Sequence, residues 1–296
     1  MAAESSPPQS DVTAVRAVSG IHQILVPLDL EPGSEQVFAH ALKLALSTGA
    51  HLTAVHVRQD PNHPVDWTRA TPALELLRSW GVLRADATEA DLEALELHIE
   101  RELRVARDAE LGVISAVIER LPNIIVVGTH ARTGWQRLRE GSVAEAVARR
   151  SGAVTLFLPH GSQGFIEAAT GRADIDTVLL PIGGDARELQ HAVDVLAAFL
   201  EILDVRRVRI ITFHAGGSEL PPLTLPVREG WTWDHDLRPG DIVDGILSSA
   251  QAHHPDLVVM ATHGHDSLVD TLNGSRAEQV VRQVACPVLV VPIGPN

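Results

Sequence analysis

A strand–loop–helix–strand unit occurs twice in this chain, and the duplication constrains the fold more than any other feature. In both copies an apolar, β-branched run leads into a Thr-His pair, at Thr129-His130 and at Thr262-His263. A Gly-Ser pair follows at the same distance, at Gly141-Ser142 and at Gly274-Ser275, and opens a helical pattern. Chance is a poor explanation for two equal spacings, so the sequence predicts an internal duplication.

Short apolar runs alternate with helical patterns through the rest of the chain. The residues predict strands at 24–29, 52–57, 124–128, 154–158, 178–183, 208–213, 257–261 and 288–291, with shorter ones at 103–106 and 231–235. Besides the helices of the repeated units, they predict helices at 34–47, 88–100, 112–121, 189–203 and 241–253, with Ser34 as the N-cap of the first. Apolar strands that alternate with helices are typical of parallel sheets covered on both faces.

The length allows two domains of ordinary size, because each half of the 296 residues can bury its own core. A glycine-containing stretch separates the halves, after which the strand pattern starts again. We expect a disordered tail over 1–20, a first domain over 21–160, a linker over 161–173 and a second domain over 174–296.

Composition narrows the classes of function. Hydrophobic residues make up 45% and charged residues 21%, as in globular proteins. No apolar run approaches the ~20 residues of a membrane span, and the first twenty residues lack a secretion signal. The single cysteine, Cys286, fits a reducing cytoplasm and is expected to be buried and inert. A net charge of −14 argues against nucleic acid or an anionic membrane as partner.

Each half resembles a universal stress protein domain, and the whole chain resembles the tandem type of that family, over residues 22–160 and 174–295. The family's nucleotide-binding signature is Gly, two residues, Gly, nine residues, and Gly followed by Ser or Thr. At this spacing the first half carries Gly128, Ala131 and Gly141-Ser142. The second half carries Ala261, Gly264 and Gly274-Ser275. Each copy therefore lacks one glycine, and a different one.

The resemblance implies two tandem Rossmann-like α/β domains, each with a five-stranded parallel sheet and helices on both faces. It also implies ATP or another adenine nucleotide as ligand. Asp29 matches the Asp at the end of the first strand, and Val57 matches the second-strand position whose backbone meets the adenine. The ribose and the phosphates are assigned to loop residues, which here are Val127, Gly128, His130, Ala131, Gly141, Ser142 and Val143.

The loop of the first half also suits an anion on physical grounds. The first N–H groups of the helix that opens at Ser142 carry partial positive charge, and Gly141 lets the backbone approach a phosphate. Arg132, in the same loop, can hold phosphate oxygens through two hydrogen bonds. Ala131 is expected to limit affinity, because alanine is strained at a positive φ.

The second half is expected to be degenerate. Gly183 stands where the first half has Asp29. The loop 265–273 contains Asp266 and Asp270 and no basic residue, which makes it a poor cradle for a triphosphate. We therefore expect at most one strong nucleotide site in each chain, in the first half.

Two other classes of function stay open. One is an enzyme, either a slow nucleotide hydrolase or a metal-dependent enzyme that uses the second-half histidines and Asp234 and Asp236. No histidine spacing matches a metal motif, and no nucleophile elbow or Walker lysine is present, so we assign no catalytic or metal residue. The other is an interaction module without a ligand.

The last strand of each half indicates how the two halves pack together. Val154–Leu158 and Pro287–Val291 are apolar, and such strands left open at a sheet edge invite aggregation. The linker is long enough for the halves to face each other. We therefore predict an intramolecular pseudo-dimer in which these strands meet antiparallel, with a further homodimer left open.

Overall fold

The chain forms a single sheet of ten strands with helices on both faces. The structure is a computed structural model that describes residues 20–31, 33–62, 64–67, 73–129, 151–159, 161–183, 186–216, 222–263 and 276–293. Residues 1–19 of the predicted tail, the glycine loop at 130–150 and the loop at 264–275 lie outside these ranges. The strand order is β3-β2-β1-β4-β5-β10-β9-β6-β7-β8.

The five strands of each half follow one another in the same order, and helices α2 and α3 lie between β2 and β3 of the first half. The strands are β1 Gln23–Pro27, β2 His51–Arg58, β3 Ile99–Val105, β4 Ile124–Thr129, β5 Val154–Pro159, β6 Thr177–Pro181, β7 Val208–Ala215, β8 Trp231–Arg238, β9 Leu257–His263 and β10 Val288–Ile293. The helices are α1 Ser34–Thr48, α2 Ala73–Ser79, α3 Glu89–Ala94, α4 Ala109–Arg120, α5 Ala186–Ile202, α6 Ile242–His253 and α7 Arg276–Gln283. Each half contributes five parallel strands, which confirms the predicted fold class.

The two halves join through their last strands, as predicted. β10 pairs with β5 antiparallel, with Val288 opposite Phe157 and Val290 opposite Thr155. All six residues of β5 are buried, since β4 lies on its other side. The apolar strands that would have been exposed edges thus form the centre of the sheet.

Several predicted boundaries were wrong. The helix predicted over 88–100 ends at Ala94, and the edge strand β3 begins at Ile99. Glu96 adopts a left-handed conformation with φ of 54°, which stops the helix and turns the chain toward the sheet. Ser34 is the first residue of α1, not its N-cap, because Gly33 occupies the cap with φ of 104°. β8 continues three residues past the predicted end, to Arg238.

Alternate residues of each strand face two different helical layers. On one face, which we name the α1 face, helices α1, α2, α3 and α5 cover a core that runs through both halves. On the other, which we name the α4 face, α4 covers a small core in the first half, and α6 and α7 cover a second core. Among the described residues, no helix combines the length and apolar character that a membrane crossing requires.

The segment predicted as a linker packs against α1. His40, fully buried on α1, accepts hydrogen bonds at Nε2 from the backbone N–H groups of Phe165 and Ile166, both at 3.1 Å. Its Nδ1 lies 2.8 Å from the carbonyl of Gln36, which fixes the neutral tautomer. The ring of Phe165 in turn meets Phe199 of α5, with centroids 6.0 Å apart. The segment therefore connects the α1-face helices of the two halves.

The duplication extends to individual hydrogen bonds. The Asn123 Oδ1 atom, just before β4, accepts from the backbone N–H groups of His22 and Gln23. Just before β9, Asp256 Oδ2 accepts from the two residues that precede Val178, in the same arrangement. The preceding helices also end alike, with Leu121 and His254 at φ of 47° and 46°.

Candidate functional site

The connections of the first half create a crevice at the carboxyl ends of β1 and β4. From β1 the chain continues through α1 to β2 on one side, whereas from β4 it continues to β5 on the other side. Since β1 and β4 are neighbours, the direction of the connections reverses between them. Ligands of open α/β sheets bind outside the carboxyl ends of the strands at such a switch point.

Asp29 lies on one side of this crevice, two residues after β1. The carboxylate is exposed, and its Oδ1 atom accepts hydrogen bonds from the Ser34 hydroxyl at 2.6 Å and from the Glu31 N–H at 3.0 Å. These bonds hold the turn that leads from β1 into α1. Asp29 therefore has a structural role in the turn and lies at the switch point.

Gly128 and Thr129 lie on the other side, at the end of β4. A Cβ atom on Gly128 would lie 3.1 Å from Val37 Cγ2, so the glycine lets the first turns of α1 approach the strand closely. Thr129 Oγ1 is buried and has no hydrogen-bond partner in the described structure. A buried hydroxyl without a hydrogen-bond partner destabilises the folded protein by about 1–3 kcal/mol. A ligand atom that hydrogen-bonded to this hydroxyl would recover that free energy on binding. The sequence shows Thr129 in the repeated Thr-His pair, but the glycine signature does not assign it to the site.

The backbone N–H and C=O of Val57 face the β1 side of β2, beyond the point where β1 and β2 stop pairing. The β1–β2 ladder ends with Pro27 opposite Val55, followed by the hydrogen bond from Leu28 N to Val55 O. Backbone groups two residues apart point the same way along a strand, so the N–H and C=O of Val57 also face the β1 side. Its side chain points away and packs against Gly112 of α4, where a Cβ atom would lie 2.5 Å from Val57 Cγ1.

The described residues bring part of the predicted site together. Asp29, Val57, Val127 and Gly128 lie at neighbouring strand ends, although Val127 is buried in the α4-face core and offers only backbone. Six further candidates lie outside the described residues, namely His130, Ala131, Arg132, Gly141, Ser142 and Val143.

The second half repeats the scaffold without the same polar groups. Ile182 N donates to Phe213 O where Leu28 N donates to Val55 O. His214 Nδ1 lies 3.0 Å from the carbonyl of Ile182, as His56 Nδ1 lies 2.8 Å from that of Leu28. Gly183 replaces Asp29, however, and provides no carboxylate.

The polar clusters of the second half have structural partners. Asp236 Oδ2 accepts from Ser249 Oγ at 2.7 Å and lies 3.2 Å from His253 Nε2, while Arg238 forms an ion pair with the same carboxylate. These contacts tie edge strand β8 to α6. Within the described ranges, no three His, Cys, Asp or Glu side chains are arranged to hold a metal ion.

Two other features lie apart from the crevice. Cys286 is partly buried, and burial raises the pKa of its thiol to about 12, which keeps it protonated and unreactive. A surface cleft of about 490 Å³ opens at the amino ends of β7 and β8. Two of its arginines, Arg206 and Arg228, already pair with Asp204 and Glu201.

Comparison with solved structures returns the same architecture over nearly the full length. The structure of a universal stress protein from Archaeoglobus fulgidus DSM 4304 has 16% sequence identity and a TM-score of 0.60, with 94% of this chain and 98% of that chain covered. A putative universal stress protein from Pseudomonas aeruginosa UCBPP-PA14 has 14% identity and a TM-score of 0.63, with 93% and 95% covered. At these identities the likeness concerns the fold.

The fold and the crevice define a tandem, doubly wound α/β protein with one Rossmann-like sheet in each half. The family profile described as "Universal stress protein family" matches residues 20–156 and 228–292. Because this match covers more than half of the chain, the protein belongs to the universal stress protein family. The comparison with curated proteins found no match.

Proposed function

We propose that the first half binds an adenine nucleotide, with ATP as the reference ligand, and that the protein acts by binding rather than by catalysis. The observation that carries the proposal is the backbone of Val57, whose N–H and C=O face the β1 side beyond the end of the ladder. One edge of adenine offers an acceptor nitrogen next to an amino donor. A backbone N–H and C=O at a strand end complement that edge.

The neighbouring groups fit the rest of a nucleotide. Asp29 supplies a carboxylate that can accept from ribose hydroxyls, as acidic residues do in other Rossmann-like sites. Thr129 supplies a buried hydroxyl without a partner in the described structure. Gly141 and Ser142 in the sequence supply a helix start that suits phosphates. Groups on both sides of the switch point therefore support the proposed ligand.

We further infer a cytoplasmic protein in which the halves act as an intramolecular pair. The net charge of −14 disfavours nucleic acid as a partner, and the single cysteine fits a reducing compartment. The second half then serves chiefly as the structural partner of the first.

Calorimetric titration of the full chain with ATP tests the proposal. We expect one strong site per chain, lost in Gly141→Glu, because the new carboxylate would occupy the phosphate space with negative charge. Gly274→Glu makes the same change at the equivalent position of the second half and is the matched control, expected to leave binding intact. Two equal sites, or binding that survives Gly141→Glu, would contradict the proposal. Wild-type protein that binds no nucleotide would favour a pure interaction module.

A further inference from the structure

Trp67 lies beside the proposed base-binding edge. Its indole meets the ring of His56 edge-on, with centroids 6.2 Å apart and planes at 76°. The indole is half-buried and packs against the α1-face core. The His56 ring is fixed in turn, because its Nδ1 donates to the Leu28 carbonyl at 2.8 Å. Trp67 is therefore held close to the residue that directly precedes Asp29.

The face of the sheet next to His56 exposes apolar surface at the same strand ends. Leu103 of β3 lies opposite His56, and Val105 lies opposite Arg58. Residues paired in this way share a face of the sheet, and these two side chains are 37% and 54% exposed. The edge of this face therefore leaves apolar surface open to solvent beside His56.

The geometry of the proposed nucleotide brings its base to the His56 side of β2, across that strand from Leu103 and Val105. A base whose edge bonds the backbone of Val57 would lie in the gap between β1 and β2, beyond the last ladder pair. One face of such a base turns toward the α1 face of the sheet, which is the face that carries His56 and Trp67.

The second half lacks this aromatic side chain. His214 repeats the contact of His56, since its Nδ1 atom bonds the Ile182 carbonyl. However, the sequence between β7 and β8, residues 216–230, contains no Trp, Phe or Tyr. The aromatic ring is therefore found in the half that also carries Asp29. Since the second half forms the same histidine–carbonyl contact without such a ring, the fold common to both halves does not require it.

We propose that Trp67 stacks on the nucleotide base and makes the first half selective for ligands that carry a planar heteroaromatic base. The inference rests on the proposed function and deepens it, because it adds a specificity residue outside the glycine loop. Stacking of a base on an aromatic side chain contributes about 1–3 kcal/mol, which corresponds to roughly 5-fold to 150-fold in affinity.

Calorimetry with ATP, adenosine and inorganic triphosphate tests this role in the full chain. Trp67→Ala is expected to weaken the binding of ATP and adenosine at least about fivefold while leaving the binding of triphosphate unchanged. Trp67→Phe keeps a ring and should retain most of the affinity for both base-containing ligands. Trp231→Ala, which removes a half-buried tryptophan from β8, is the matched control and should not change binding. Far-ultraviolet circular dichroism confirms that each variant is folded.

The outcomes separate this inference from the proposed function. If Trp67→Ala binds ATP as tightly as the wild type, the stacking role is wrong and the nucleotide site stands. If Trp67→Ala weakens triphosphate as much as ATP, the tryptophan supports the site without recognising the base, and the inference also fails. If the wild type binds neither ATP nor adenosine, both proposals fail.

Discussion

Leu289 of β10 lies directly opposite Leu156 of β5, and both side chains are fully buried in the α1-face core. This antiparallel pair joins two parallel five-stranded sheets into one sheet of ten strands. The junction therefore combines backbone hydrogen bonds with a shared apolar layer.

Val290→Pro tests the strength of this junction. β10 has neighbours on both sides, so proline in this interior strand removes a ladder hydrogen bond and forces its ring into the sheet. We expect the free energy of unfolding, measured by urea denaturation, to fall by at least about 1–3 kcal/mol, the cost of a buried carbonyl that loses its donor. Val290→Ala, which trims the side chain and keeps the N–H, should cost less. Equal losses in the two variants would show that the N–H contributes little.

Ala131→Gly should tighten the binding of ATP. The substitution restores the glycine of the family signature and removes a methyl group near the expected phosphates. If the residue takes a positive φ, the gain is about 1 kcal/mol, or roughly fivefold in the dissociation constant from calorimetry. Ala261→Gly in the second half is the control and should have no effect on the strong site. Unchanged or weaker binding in Ala131→Gly would mean that no phosphate lies near this residue.

His40 should make stability depend on pH in the acidic range. Burial lowers its pKa from 6.5 to about 4, whereas in the unfolded chain the imidazole titrates normally. Between these values the unfolded state binds a proton that the folded state does not, so stability falls as the pH drops from 6.5 to 4. The loss reaches about 3 kcal/mol below pH 4 and is absent above pH 6.5.

Urea denaturation between pH 4 and pH 7 measures this effect. His40→Gln can still accept from the Phe165 and Ile166 N–H groups but does not titrate, so it should flatten the pH dependence. His51→Gln, at an exposed histidine, is the control and should leave the slope unchanged. A His40→Gln variant with the wild-type slope would contradict the assignment.

Asn123→Ala should destabilise the first half by about 1–2 kcal/mol, because two backbone N–H groups before and at the start of β1 lose their acceptor. Asn123→Asp should be tolerated, since Asp256 performs the same role in the second half with an aspartate. Thermal and urea unfolding measure both variants. A larger loss in Asn123→Asp than in Asn123→Ala would show that the two positions are not equivalent.

The central strands could be predicted from the sequence, whereas the edge strands β3 and β8 were predicted only in part. β1, β4, β5 and β9 are apolar because they are buried on both faces. β3 instead carries Glu102 and Arg104 on its α4 face, where they form ion pairs with Arg120 and Glu119 of α4. Charges at these positions hide the strand pattern, and the leucines before β3 resemble a helix that in fact ends at Ala94.

The candidate site was predictable in part, because the glycine spacing and the carboxylate at Asp29 are visible in the sequence. Thr129 and Trp67 were missed for different reasons. The hydroxyl of Thr129 becomes notable only when its burial and lack of a partner are seen. Trp67 lies in a loop with no periodicity, and its position next to His56 depends on tertiary packing.

The docking of residues 161–175 onto α1 also bears on the covalent connection between the halves. Phe165 and Ile166 are buried against the first half, and Ile175 is buried in the core that both halves share. Once folded, the halves are held by β5, β10 and this common core, and the peptide bonds between them add little. A protease cut in that segment would thus yield a nicked molecule that stays assembled, whereas either fragment made alone would lack part of its interior.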